Sequence, residues 1–331
     1  MPTFDVISIG SVVHDLYVRA PRVQTIPMAS SESGRALALP LGAKLEVDLM
    51  QHEVGGGAAN SSVCFSRVGL TAGLISRVGD DFAGRLIREE LQHENVDDTY
   101  LRVDKEYETA QSVLLLSPEG ERTILVKRGA AADFNVNDVD ESILRRPRWM
   151  YVSSIGGNMH VLQHIFRACR VNNIRIAWNP GALELAQGLD TLAPLLGETD
   201  VLVLNREEAA QLTAIADGSI GDLVRSLSRA VAKGVVVVTN GADGAAASDG
   251  MHAVHLCCRE VPVVDATGAG DSFGSSFVAA RIYGLAMDDA LVFAMINSES
   301  VISHIGAQAG LLRKADMMHL GVVDTFARMA I

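Results

Sequence analysis

The residues Val264-Asp265-Ala266-Thr267-Gly268-Ala269-Gly270-Asp271-Ser272-Phe273 combine small side chains with two carboxylates. Before them, Val261 to Val264 reads as an apolar strand end, and after them Phe273 to Tyr283 reads as a helix. With no bulky side chain in the way, the backbone N–H groups of Gly268, Ala269 and Gly270 can point into one cavity. A helix beginning there adds the positive end of its dipole, so the turn suits a phosphate or a developing anion. Asp271 is the one ionisable side chain between that turn and the helix. A carboxylate beside an anion hole can take a proton while negative charge grows next to it. The chemistry this suggests is phosphoryl transfer to a hydroxyl.

Three further constellations accompany it. Gly55-Gly56-Gly57-Ala58-Ala59-Asn60 opens a second helix, where bare glycines let a ligand's hydroxyls approach the backbone and Asn60 offers a donor and an acceptor. On residue types alone, a tight turn explains this run equally well. No Gly-Lys-Ser/Thr follows it, so it is not a Walker A loop, and neither glycine run has the spacing of the dinucleotide fingerprint. Asn205-Arg206-Glu207-Glu208 starts a helix directly after a strand; a capping box is the favoured reading, and a Mg²⁺ site reached through water is the other. Thr239-Asn240-Gly241-Ala242-Asp243-Gly244 passes close to a flat base or phosphate, or simply turns a hairpin.

These side chains need elements to position them. Phe4 to Ile9 reads as a buried strand closed by Gly10, Ala58 to Val68 and Phe82 to Glu94 as helices, and Ala72 to Val78 as a strand. Further strands at Met150 to Ser153, Ile174 to Trp178, Val201 to Leu204 and Val235 to Thr239 alternate with helical stretches. Apolar strands without polar alternation, separated by helices, predict a three-layer α/β/α core around a mainly parallel sheet. Ligands bind such sheets beyond the carboxyl ends of the strands. Asp15, Asn179, Asn205, the Thr239–Gly244 loop and the Asp265–Asp271 turn are all expected there. Thr109 to Leu116 and Glu121 to Lys127, joined by Ser117-Pro118-Glu119-Gly120, read as a hairpin. With the Pro- and Ser/Gly-rich excursion after Gly10 it predicts a small β lid, roughly residues 11–50 and 97–130, inserted into a single domain spanning 1–331.

The whole chain narrows the partners. Its 331 residues are 48% hydrophobic and 21% charged, ordinary for a soluble protein with a large core. A net charge of −12 with no Lys/Arg cluster argues against a nucleic-acid surface. Cys64, Cys169, Cys257 and Cys258 form no CxxC pair and no ligand-spaced histidines accompany them, so free thiols in a reducing cytosol are expected rather than zinc. Met1 to Gly10 lacks a basic segment and the apolar runs are short for a membrane span, so the expectation is cytoplasmic, without a membrane partner. Arg77, Arg122, Lys127 and Arg128 read as solvated charges unless the lid folds them inward.

Assembled in order, the motifs resemble the ribokinase (PfkB) family of carbohydrate kinases over nearly the whole chain. Asp265 to Asp271 matches the C-terminal signature DTxGAGD, with Ala266 at a position that members vary. Val54 to Asn60, with Arg67 to Gly69 and Val78-Gly79-Asp80-Asp81 behind it, resembles the N-terminal signature; Asn205 and Glu208 match the NxxE element; Thr239, Gly241 and Gly244 resemble the nucleotide loop. The resemblance implies ATP-dependent, Mg²⁺-requiring phosphorylation of a hydroxyl on a free sugar. It makes Asp271 the base and Gly268, Ala269 and Gly270 the anion hole. Asp15, Gly56, Gly57 and Asn60 would hold the sugar, and Asn179, Thr239, Gly241, Gly244 and Asn297 would line the ATP site. Asn205 and Glu208 would organise Mg²⁺ through water. Asp265, with the backbone around Gly306-Ala307-Gln308, would belong to a monovalent-cation loop, which adds K⁺ to the candidate cofactors. The lid implies closure over the substrate and a homodimer contact. Gly57 stands where ribokinase carries Lys, and Val13 replaces an Asn two residues before Asp15, which points away from strict ribose specificity and toward an uncharged acceptor. The alternatives are a nucleoside kinase on the same fold and a catalytically silent sugar- or nucleotide-sensing protein; the intact Asp271 speaks against the latter.

Overall fold

Successive valines of the strand Val235–Thr239 pack to opposite sides: Val236 and Val238 join one apolar cluster, Val235 and Val237 another. Leu202 and Leu204 against Val201 and Val203 repeat the division one strand away. A strand that buries both faces needs a layer on each side, which is the physical origin of the three-layer core. The computed structural model describes residues 3–31, 33–117, 122–139, 143–319 and 328–330.

In chain order the strands begin β1 (Phe4–Ile9), β2 (Val13–Arg19), β3 (Gln24–Pro27), β4 (Arg35–Ala38), β5 (Leu49–Gly55), β6 (Ala72–Gly79), β7 (Asp97–Asp104) and β8 (Gln111–Leu116). They continue with β9 (Arg122–Lys127), β10 (Pro147–Val152), β11 (Arg175–Trp178), β12 (Val201–Asn205), β13 (Val235–Thr239), β14 (Ala245–Ser248), β15 (Ala253–Leu256) and β16 (Arg328–Ala330). The helices are α1 (Gly57–Arg67), α2 (Phe82–His93), α3 (Met159–Val171), α4 (Ala182–Leu185) and α5 (Leu189–Leu196). After them come α6 (Arg206–Thr213), α7 (Ile220–Ala230), α8 (Ala269–Ile282), α9 (Met287–Ile302) and α10 (Lys314–His319).

One large sheet has the order β16-β15-β14-β13-β12-β11-β10-β1-β6-β7. Strands β7 to β13 of that order run parallel, and β14, β15 and β16 add an antiparallel edge. Helices α3 to α7 cover one face and α1, α8 and α9 the other. Helix α8 lies close to the sheet because its residues are small: a Cβ on Gly274 would meet the Tyr151 hydroxyl at 2.7 Å. No helix among the described residues is long and apolar enough to cross a membrane.

A second sheet, β5-β2-β8-β9, stands apart from the core. It is mixed rather than purely antiparallel, since β2 and β8 run parallel. The expected β8–β9 hairpin pairing forms, while Pro118, Glu119 and Gly120 lie outside the described residues.

Four expectations need correction. Asp97–Asp104 is not part of the lid; it pairs with β6 as the edge of the large sheet, and the small sheet instead reaches Gly55 through β5. Val261 to Val264 form no strand; they are extended chain with Val263 and Val264 exposed, tied back where Val264 N–H donates to the Ile302 carbonyl. Helix α8 begins at Ala269, so Asp271 lies within its first turn rather than before it. Arg77 is likewise no solvated charge: it is buried and ion-paired with Asp104 and Asp138.

Candidate active site

Asp271 is held from outside its own helix. Asn60 Nδ2 donates to Asp271 Oδ2 at 2.8 Å, and Gln308 Nε2 donates in turn to Asn60 Oδ1 at 3.1 Å. Gln308 is fixed through its backbone, where Arg67 Nη1 donates to its carbonyl at 2.6 Å and to that of Leu311 at 3.0 Å. Arg67 is itself locked by two bonds to the buried Glu94 carboxylate, 2.9 and 2.8 Å. Burial pushes the Asp271 carboxyl above the ordinary carboxylate range, and the Asn60 amide pulls it back. In front of the carboxylate lies Gly57, where a Cβ would come within 3.6 Å of Asp271 Oδ1 and 2.9 Å of the Ser153 Cβ. That bare glycine therefore leaves room beside the base.

The N-cap of α8 is Gly268 in the left-handed region, φ 77°, pressed against Ala307 so closely that a Cβ would collide with it. Ala269 N–H makes a long turn bond to the Ala266 carbonyl, 3.3 Å. The Gly268 and Gly270 N–H groups have no acceptor among the described residues, and space opens beside Gly270, where a Cβ would meet nothing within 4 Å. These are the unsatisfied donors of a helix start, aimed where a phosphate can meet them.

They open onto a cleft of ≈ 490 Å³. Thr239, Gly241 and Gly244 form one wall, Met295, Ser298 and Ile302 another, and Ala269, Gly270 and Phe273 the floor. This apolar slot with donors at one end suits a nucleotide. A larger hollow of ≈ 790 Å³ lies between Val136, Val139 and the His160, His164 and Arg167 side chains of α3. It touches none of the strand-end residues, so the smaller cleft is the candidate active site.

The remaining expected residues are distributed unevenly. Asn205 and Glu208 form a reciprocal capping box, both bonds 2.8 Å. Burial raises the Glu208 carboxyl, the Asn205 N–H opposes this, and the charges of Glu207 and Asp271 add to the rise. Asn179 donates to the Val203 carbonyl at 2.9 Å and is outside the cleft lining. Asn297 is also absent from it: fully buried, it donates to Ser276 Oγ at 2.7 Å and accepts from the Leu312 N–H at 2.9 Å. Its helical phase turns it away from the cleft, toward which Met295, Ser298, Glu299 and Ile302 face. Gly56, φ 94°, packs against the Ser11–Val12 backbone.

On the lid, Asp15 of β2 is paired with Glu53 of β5, and such cross-strand partners share one face. Burial pushes the Asp15 carboxyl up to about 6, opposed by a hydrogen bond from Ser112 and reinforced by Glu53 and Asp265. Asp265 is buried and accepts four hydrogen bonds. Its Oδ1 accepts from Thr267 N–H at 2.9 Å, Thr267 Oγ1 at 2.6 Å and Arg122 Nη1 at 3.4 Å, and its Oδ2 from Gly306 N–H at 3.0 Å. Burial raises the Asp265 carboxyl, but these partners outweigh it and hold it below the ordinary value. The sequence names Arg67 only within the N-terminal motif, Gln308 only by its backbone and Arg122 as inward only if the lid folds it so; the support that Arg67 and Gln308 give to Asn60 and Asp271 has no local signal.

The chain was compared with known proteins. A family model described as pfkB family carbohydrate kinase matches residues 30–314. A fructokinase of Klebsiella pneumoniae is 33% identical over 247 residues, covering 70% of this chain and 76% of that protein. An aminoimidazole riboside kinase of Salmonella typhimurium is 30% identical over 230 residues, covering 66% and 70%. Among solved structures, Arabidopsis thaliana ribokinase complexed with ribose and ATP superposes with TM-score 0.77 at 22% identity, over 96% of this chain and 98% of the other. The matched span contains the cleft, Asp271 and its Asn60–Gln308 support, and the chain belongs to the pfkB family of carbohydrate kinases, phosphotransferases that act on alcohol groups.

Proposed function

We propose that this ATP-dependent kinase phosphorylates a hydroxyl of an uncharged sugar. The observation that carries the reading is the acidic wall of the acceptor side: Asp15 and Glu53 share the lid face turned toward Asp265, and the nearby Arg122 guanidinium is engaged by Asp265. Carboxylates accept hydrogen bonds from sugar hydroxyls and repel a phosphorylated or carboxylated acceptor. Asp271 orients the attacking hydroxyl and takes its proton late, since a carboxylate is far less basic than an alkoxide. The Gly268 and Gly270 N–H groups stabilise charge on the phosphoryl in flight.

The donor set also fits Mg²⁺. Glu208 uses one oxygen for the Asn205 N–H, and its carboxyl is raised partly by the Asp271 charge, a repulsion that a divalent cation relieves. Glu208 would hold the ion through water, with Asn205 fixing the Glu208 rotamer, and the ion would neutralise phosphate charge. Thr239, Gly241 and Gly244 hold the nucleotide. The four free cysteines accord with work in a reducing cytosol. The apolar outer face of the lid, with Met50 and Leu125 exposed, supports a homodimer.

A coupled ADP-release screen over ketoses, aldoses, ribosides and sugar phosphates tests the acceptor. Turnover with neutral sugars or ribosides is expected. A response confined to phosphorylated sugars sinks the reading.

A further inference from the structure

A monovalent cation at Asp265 is implied by the family resemblance, yet the residues around that carboxylate do not fit one. An ionised carboxylate offers about four lone-pair sites. Asp265 receives four donors, three on Oδ1 from the Thr267 N–H and O–H and the Arg122 guanidinium and one on Oδ2 from the Gly306 N–H, so only one Oδ2 lone pair stays open. A K⁺ ion reaching that one position would sit beside the guanidinium, whose full positive charge lies 3.4 Å from the same carboxylate. Arg122 comes from lid strand β9 and is one-third exposed, whereas Asp265 is buried beside the Gly268 turn. Tyr17 of the lid strand β2 is fully buried nearby, and its hydroxyl has no hydrogen-bond partner among the described residues. The charge needed behind the anion hole is therefore delivered by the lid.

We infer that Arg122 stands in for the monovalent cation in this enzyme, so that turnover is independent of K⁺ and the phosphate-holding turn is braced by a residue of the lid. The inference rests on the kinase reading, and its test separates the two. The purified full-length enzyme is assayed for ADP release with its best acceptor, or for intrinsic ATP hydrolysis where no acceptor responds, in K⁺ and in tetramethylammonium at equal ionic strength. Acceptor-dependent ADP release in either salt upholds the kinase reading by itself.

For the wild type we expect the same kcat and the same Tm in both salts. Arg122→Gln should lose about 10-fold or more in kcat, less than the loss of a direct oxyanion donor. Arg122→Lys, which keeps the charge, should recover most of it. Melting curves with and without ATP verify that each variant is folded. A several-fold activation of the wild type by K⁺, or a K⁺-dependent rise in its Tm, overturns the inference; so does an Arg122→Gln variant with wild-type kcat in tetramethylammonium.

Discussion

An amide that donates to a carboxylate favours its charged form, so Asn60 works against the burial that raises Asp271. Hydrogen bonds to charged groups contribute roughly 1.5–3 kcal/mol, equivalent to about one to two pH units. Asn60→Ala should therefore move the acidic limb of the kcat/KM profile to higher pH, because the base must be ionised to act. Gln308→Ala acts only through Asn60 and should move the limb the same way by less. Profiles unchanged in both variants would remove the relay. The same burial fixes a sign for stability. A carboxyl whose folded pKa is raised contributes stability at low pH, and that contribution is lost as pH rises through the folded value. Asp271→Asn should accordingly melt higher than the wild type at neutral pH while abolishing turnover and leaving ATP binding intact.

Two glycines at the start of helix α8 have different surroundings, and the difference is testable. Gly268 sits at φ 77° against Ala307, so Gly268→Ala meets both backbone strain and a collision. It should lose about 1–3 kcal/mol of stability, read from urea denaturation, together with most of kcat. Gly270 is in the helix with open space beside it, so Gly270→Ala should be neutral or stabilising by roughly 0.5–1 kcal/mol. Its methyl enters the cleft, so ATP affinity should fall without loss of fold. Equal destabilisation by the two substitutions would contradict this account of the turn.

The elements themselves were readable where burial wrote a pattern: Phe4–Ile9 and Val235–Thr239 are apolar runs that can only be buried strands. Val261–Val264 has the same composition without the pairing, because its side chains line the cleft and solvent instead of a layer. The alternating exposure of Asp97–Asp104 belongs to an edge strand, which looks like a lid strand in sequence. The Asn60–Gln308 and Arg122–Asp265 contacts span 248 and 143 residues, and no local pattern records such partners.

At the scale of the molecule, the small sheet has two unlike faces. One carries Asp15, Glu53 and Arg122 toward the core. The other is formed by Leu16 and Val18 of β2, Met50 of β5, Val113 and Leu115 of β8 and Leu125 of β9, which the strand registers bring into one neighbouring group. Met50 and Leu125 are 59% and 56% exposed. The charge nearest this group on the same face is Lys127, at its edge and ion-paired with Glu108, so a second copy of the same face can pack on the apolar centre without desolvating an unpaired ion, as a two-fold contact requires. Covering this face would also stiffen the sheet that carries Asp15 and Arg122, which links assembly to acceptor binding but not to ATP, whose cleft is built from the core. Met50→Asp combined with Leu125→Asp should convert a dimer to a monomer in sedimentation and raise KM for the acceptor, with ATP affinity little changed. A wild type that sediments as a monomer at micromolar concentration, or a double variant that remains dimeric, would take the lid out of assembly.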